Sequence, residues 1–217
     1  MVGSGDAIAG FVCSRGYVDG HAALGLELVA AQALHGRPIY FCYISVPAKS
    51  EATGLKDLRG LRFAFTERGS NTGCLVPTYQ IRKLGERPES FFSRLIYTTS
   101  HDRSIVAVRD RVVDGAAVDS LIYEQAVRNA PDLKTQTKVA ARYGPYGSPP
   151  MVVNPHAPAG FKEALKHTLL NMHTDNEGRR ILDSLMADRF VTVEDSAYES
   201  IREMIKEVKP SADWTRQ

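Results

Sequence analysis

The sequence predicts an α/β protein in which short apolar strands alternate with amphipathic helices around a largely parallel sheet. Three observations carry this. Through residues 61–141, short apolar runs lead repeatedly into a polar turn and then into apolar residues at helical spacing. The cluster Tyr143-Gly144-Pro145-Tyr146-Gly147-Ser148-Pro149-Pro150 interrupts the pattern with residues that suit neither a helix nor a central strand, and reads as a hinge or crossover. At 217 residues, 43% hydrophobic and 24% charged, the chain can bury a sizeable core as one large or two small domains.

The elements follow in order. Residues 8–13 (IAGFVC) form a short strand, and Ser14-Arg15-Gly16 leads on to Tyr17. Residues 22–34, rich in Ala and Leu, read as a buried or half-buried, partly helical segment. Residues 38–46 (PIYFCYISV) have the aromatic and β-branched content of a strand that Pro47 ends, and no turn-rich linker follows, so this strand is expected to run between two lobes. Leu61, Phe63 and Phe65 suit a buried strand, and a helix begins after the turn near Gly73 or Cys74 with Pro77 in its first turn.

A strand at residues 95–97 precedes the turn Thr98-Thr99-Ser100-His101-Asp102 and a helix with Ile105, Val108 and Val112 on its apolar face. Gly115 closes that helix. Residues 116–118 form a strand ending at Asp119, residues 121–129 a helix stopped before Pro131, and residues 137–141 and 151–153 two further strands. Three helices finish the chain and are expected to pack on the first lobe: one presents Phe161, Leu165, Leu169 and Met172, the next Ile181, Leu182 and Leu185, the last Tyr198, Ile201 and Ile205.

Formal charge is +2, from 27 basic and 25 acidic residues without a long run of either sign, which gives no reason to expect a nucleic-acid partner. Cys13, Cys42 and Cys74 have no CxxC spacing, so neither a disulfide framework nor a zinc site is indicated, and they read as small buried hydrophobes. The N-terminal stretch lacks a basic segment followed by a long apolar one, and no apolar run is long enough to span a membrane. No cofactor fingerprint or metal-ligand cluster is present in the sequence.

The candidate site starts from Ser70-Asn71-Thr72-Gly73. Between a strand and a helix these residues offer two hydroxyls, an amide and a backbone without Cβ to the positive end of a helix dipole, where an oxyanion is held well. The same residues also suit an ordinary helix cap. The pattern is not GxxxxGK[ST], so a nucleotide P-loop is not expected. Ser70, His101 and Asp119 all follow strand ends, and in a parallel sheet such positions share the rim where ligands sit.

The motifs GDAIAGFVCSRGYV, PIYFCYISV, DLRGLRFAF, GSNTGCLVP, TSHDRSIVAV, DGAAVDS and YGSPPMVV, in this order over nearly the whole chain, resemble the phosphonate-binding, PhnD-like solute-binding proteins of ABC transporters. The resemblance implies a type II periplasmic-binding-protein fold: lobe I from residues 1–55 and 148–217, lobe II from residues 56–147, closing over a ligand in a central cleft. It implies a phosphonate or related phosphorus oxyanion such as phosphite or phosphate as ligand, a transporter permease as partner and a periplasmic location. Members of the family carry a signal sequence and two strand–helix units ahead of the counterpart of Gly5. The first lobe is therefore expected to be incomplete, with the chain a truncated product, a partner supplying the rest, or an open sheet edge that favours self-association.

By the same resemblance Ser70, Asn71, Thr72 and Gly73 hold the anion headgroup, His101 donates a second set of bonds, and Asp119 accepts from a protonated P–OH or a ligand ammonium. Tyr17 and Tyr40 or Tyr43 would wall the other lobe. Each has a plain alternative: His101 as a capping or core-edge residue, Asp119 as the cap of the following helix with Ser120 competing, and the tyrosines as core packing. Glu124, Arg142 and Tyr143 are near the rim or are simply solvated.

The resulting expectation is a solute receptor feeding a transporter. The alternatives are the same lobe used as a sensor for a signalling system, and a hydrolase with Ser70 as nucleophile, His101 as base and Asp119 as orienter. Ser70 lies in a helix-start turn and not in a GxSxG elbow, which weighs against catalysis.

Overall fold

The structure is a computed structural model that describes Val2 and residues 7–208. Gly5 and Asp6, which open the first family-like motif, lie outside the described residues. The first half of the chain forms β1 (Ala9–Phe11), α1 (Ser14–Leu24), β2 (Glu27–Ala33), β3 (Ile39–Pro47), β4 (Arg62–Phe65), α2 (Val76–Arg82), α3 (Pro88–Phe91), β5 (Arg94–Tyr97) and α4 (His101–Arg109). It continues with β6 (Gly115–Asp119), α5 (Ser120–Asn129), α6 (Leu133–Gln136), β7 (Thr137–Gly147), β8 (Pro150–Val153), α7 (Ala159–Asn171), α8 (Asn176–Ser184), β9 (Arg189–Val191) and α9 (Glu199–Glu207).

The chain divides into two compact units, Met1–Tyr40 with Gly144–Glu199, and Phe41–Tyr143 with Ser200–Gln217. The first holds an antiparallel sheet in the order β1-β8-β2-β9. Residues of α7 and α8 pack on it through a core that includes Val29, Val153, Leu169, Leu182 and Phe190.

Several expectations for this unit need correction. Ser14-Arg15-Gly16 is the first turn of α1, because the Cys13 thiol caps it by accepting from the Gly16 N–H at 3.2 Å. Cys13 is thus a half-exposed cap and not a buried hydrophobe. Residues 22–34 are helical only as far as Leu24, the end of α1: Gly25, at φ 69°, stops the helix in the left-handed conformation that glycine tolerates. β2 follows, and its Ala30, Ala31 and Ala33 are fully buried where β2 pairs with β8 and β9. Central sheet pairing outweighs the helix preference of alanine. β9 is too short to show a period in the sequence. Phe161, Ile181 and Leu185 remain 36%, 44% and 39% exposed, so the apolar faces expected for α7 and α8 are only partly buried.

The second unit is built on a sheet in the order β5-β4-β6-β3-β7. β4 runs parallel to β5 and β6, and β3 runs antiparallel to β6. That antiparallel pairing, from Cys42 opposite Asp119 to Ser45 opposite Ala116, is why most of β3 groups with this unit. α9 groups with it too from Ser200 onward, and not with the first unit as expected for the helical tail. Ile105, Val108, Val118, Tyr123, Val127 and Leu133 form the core on one face.

Here too the details differ from expectation. β7 extends past residue 141 through the glycine- and proline-rich stretch to Gly147, but it lies at the sheet edge, which agrees with the expectation that this stretch is no central strand, since a missing proline N–H there breaks no interior ladder. Leu61 precedes β4 and is 40% exposed. Val112 is 56% exposed, because α4 ends at Arg109 and Arg111 takes a left-handed φ of 57°, which turns Val113 into the core instead. Gly115 opens β6 and does not close a helix. A Cβ there would lie 2.7 Å from Leu58 Cδ1.

Candidate functional site

β4, β6 and their neighbour β5 are parallel, so the turns that leave their carboxyl ends lie along one rim of the second unit. β4 leads to the Ser70 turn, β5 to α4 with His101 as its first residue, and β6 ends in Asp119 itself.

The Ser70 turn is wider than an α-helical start. Residues Asn71–Leu75 form a π turn, with the Leu75 N–H donating to the Ser70 carbonyl at 3.0 Å and the Val76 N–H donating to the Asn71 carbonyl. Pro77 then falls in the first turn of α2. Ser70 is the cap: its Oγ accepts from the Gly73 N–H at 3.0 Å and keeps its own proton to donate. Thr72 precedes the first i to i+5 bond, so its N–H has no acceptor within the helix. Ser70, Asn71 and Thr72 are buried. Gly73 is required by space, since a Cβ there would lie 1.9 Å from Thr66 Oγ1.

His101 and Asp119 are joined. The Asp119 backbone N–H donates to His101 Nδ1 at 3.0 Å. A ring nitrogen that accepts carries no proton, so the neutral imidazole holds its hydrogen on Nε2 and presents a donor there. Burial lowers the His101 pKa to about 4 against the opposing pull of Asp102, which keeps the ring neutral at pH 7. Asp119 also caps α5, its Oδ1 accepting from the Leu121 N–H at 2.8 Å. Burial pushes its carboxyl up to about 7, although N–H bonds from Leu121 and Ile122 favour the charged form. Ser120 does not compete for the cap. Its Oγ accepts from the Phe41 N–H at 2.9 Å and ties α5 to β3.

A third residue links this pair to the Ser70 turn. Cys42 lies opposite Asp119 in the β3–β6 pairing, and its thiol donates to the Thr72 carbonyl at 3.1 Å. Thr72, Cys42, Asp119 and His101 thus form one continuous chain of contacts. The sequence reading missed Cys42 as part of the site. The signal available was its place on β3 between Tyr40 and Tyr43.

Tyr43 is half-buried in the second unit, where its hydroxyl donates to Glu124 Oε1 at 3.3 Å and its ring meets Tyr123 edge-on at 5.8 Å. Arg142 lies over the Phe41 ring, 3.3 Å from its centroid. Tyr17 and Tyr40 belong to the first unit. Tyr17 is buried, its hydroxyl donates to Asp195 Oδ1 at 2.6 Å, and its ring packs on Tyr198 at 4.8 Å. Tyr40 is buried against Tyr146 at 6.2 Å.

The rim of the second unit combines hydroxyl and imidazole donors with a carboxyl that titrates near neutrality, a set suited to an oxyanion that carries a proton. It is poorly suited to nucleophilic catalysis. The ring nitrogen that a Ser-His-Asp triad directs to a carboxylate is here occupied by a backbone N–H.

Residues 1–198 match the family model of the phosphonate ABC transporter periplasmic substrate-binding proteins. The chain belongs to this family. It is similar to a probable ABC transporter phosphite binding protein, PhnD1, of Prochlorococcus marinus strain MIT 9301, with 28% identity over 167 residues, covering 71% of this chain and 54% of that protein. The chain therefore spans about half the length of that curated relative.

Among solved structures, PhnD1 of the same organism in complex with methylphosphonate superposes with a TM-score of 0.83 at 22% identity, covering 94% of this chain and 79% of that one. A binding protein component of an ABC phosphonate transporter from Pseudomonas aeruginosa gives 0.83 at 21% identity, covering 91% and 67%. The aliphatic sulphonate binding protein SsuA of Escherichia coli gives 0.64 at 14% identity, covering 95% and 76%. The family's fold, the type II periplasmic-binding-protein fold, is the one observed here.

Proposed function

We propose that this chain is the ligand-binding part of the solute receptor of an ABC transporter for phosphonate or a related phosphorus oxyanion, handing its ligand to a permease from the periplasm. The observation that carries the reading is the bond from the Asp119 N–H to His101 Nδ1, which makes His101 an Nε2–H donor at neutral pH beside a carboxyl able to share a proton. Ser70, with Thr72 and Gly73, holds one side of the headgroup. His101 donates from the next turn. Asp119 accepts from a P–OH, or gives its own proton to a fully ionised oxygen. Family membership and the relative named for phosphite binding support this ligand class. The function is binding and release without turnover.

Calorimetric titration of the purified chain with methylphosphonate, 2-aminoethylphosphonate, phosphite, hypophosphite and phosphate tests the reading. Saturable binding of at least one, lost in Ser70→Ala and changed in preference by Asp119→Asn, is expected. No binding of any of the five by a folded chain, or steady release of a cleaved product, overturns it.

A further inference from the structure

Thr66 lies directly after β4 and takes part in both turns of the anion site. Its N–H donates to the Gly73 carbonyl at 3.1 Å, and its own carbonyl accepts from the Thr99 N–H at 2.9 Å. The neighbouring Phe65 carbonyl accepts from the Thr98 N–H at 3.0 Å and from Thr98 Oγ1 at 3.1 Å, so the end of β4 is the template on which the His101 turn is laid. Thr99 itself is held at a φ of 70°, which a β-branched residue adopts only under constraint from its surroundings. On the other side, the Thr66 side chain fills the space that any side chain at position 73 would need. A Cβ at Gly73 would lie 1.9 Å from Thr66 Oγ1, 2.7 Å from Cγ2 and 2.8 Å from Cβ. Thr66 is 1% exposed, so neither group can move aside into solvent.

From these contacts we infer that Thr66 is a positioning residue: it fixes the Ser70 turn relative to the His101 turn, so that donors on two separate loops act as one oxyanion site. The inference rests on the oxyanion reading for the ligand but not for the mechanical link, which is present in the free protein. Because the link is steric on one side and a backbone hydrogen bond on the other, pushing on Gly73 must be felt at Thr99. Shrinking Thr66 must relieve it. Thr66→Ala removes the two closer groups and leaves the Cβ at 2.8 Å, so it relieves part of the clash, whereas Thr66→Gly removes all of it.

The test uses Gly73→Ala, Thr66→Ala, Thr66→Gly and the two doubles, each measured by amide hydrogen exchange of the free protein and by titration with methylphosphonate and phosphate. Gly73→Ala alone should speed exchange at the Thr99 amide and weaken anion binding by about tenfold or more. The double with Thr66→Ala should recover part of both losses, and the double with Thr66→Gly should come closest to the corresponding Thr66 single variant. Losses that simply add in the doubles, or Thr99 exchange indifferent to Gly73→Ala, overturn the positioning role. If the unsubstituted chain binds neither these two anions nor phosphite, hypophosphite or 2-aminoethylphosphonate, the oxyanion reading fails, and the exchange pattern alone still decides whether Thr66 joins the two turns.

Discussion

The main-chain N–H of Asp119 and the Nδ1 of His101 lie 3.0 Å apart, and that contact fixes which ring nitrogen carries the proton while burial keeps the ring neutral. An imidazolium cannot accept this bond. Nitrogen NMR should find His101 as the Nε2–H tautomer, neutral from pH 8 down toward its lowered pKa of about 4. A ring that protonates near pH 6.5, or an Nδ1–H tautomer, would contradict the arrangement.

Stability should depend on pH through two opposing groups. Burial raises the Asp119 carboxyl from its ordinary 3.8 to about 7 in the folded chain, so the stability it contributes is full below 3.8 and is lost as pH rises through 7. His101 is lowered from 6.5 to about 4, so its contribution is full above 6.5 and is lost as pH falls through 4. Over the shared window the two slopes oppose each other. Asp119→Asn should unmask the histidine slope, with denaturation midpoints that rise from pH 4 to 6.5 more steeply than in the unsubstituted protein. His101→Gln should show the reverse slope.

Capping and anion binding by Ser70 separate by substitution. Ser70→Ala removes the acceptor of the Gly73 N–H and should cost about 1 kcal/mol in urea denaturation, together with the loss of anion binding. Ser70→Asp restores a cap and should regain most of that stability. It should still not bind, because a carboxylate repels the oxyanion.

The cysteines should react in a fixed order. Cys13 is partly exposed, whereas Cys42 and Cys74 are buried, and burial with the nearby Asp119 charge raises the Cys42 thiol well above its ordinary pKa. Iodoacetamide followed by mass spectrometry should label Cys13 first and Cys42 only on unfolding. Cys42→Ala should destabilise the chain by roughly 1 kcal/mol or more, since the Thr72 carbonyl loses its thiol donor and a small cavity opens.

Much of the second unit was legible because its alternation of strand, polar turn and helix is a local pattern. The strand ends at Phe65 and Asp119, and the cap residue Ser70, follow from residue type and spacing. What the sequence hid were effects of partners remote in the chain. β2 is a strand because β8 and β9 flank it, Val113 replaces Val112 in the core because Arg111 turns the chain, and Cys42 reaches Thr72 only once β3 has paired with β6. The role of Thr66 was hidden for the same reason, since nothing in FAFTERGSNTG shows that its side chain lies where a Cβ of Gly73 would be.

The width of the turn at residues 71–75 bears on how such a site is gained or lost. A π turn holds one residue more than the α-helical turn it replaces. Loss of a single codon within this segment would tighten it into a regular helix start and shift Gly73 out of register with Thr66, while leaving the chemical character of the remaining side chains untouched. Among relatives of this chain, oxyanion binding should therefore track loop length at this point as well as the hydroxyl at position 70.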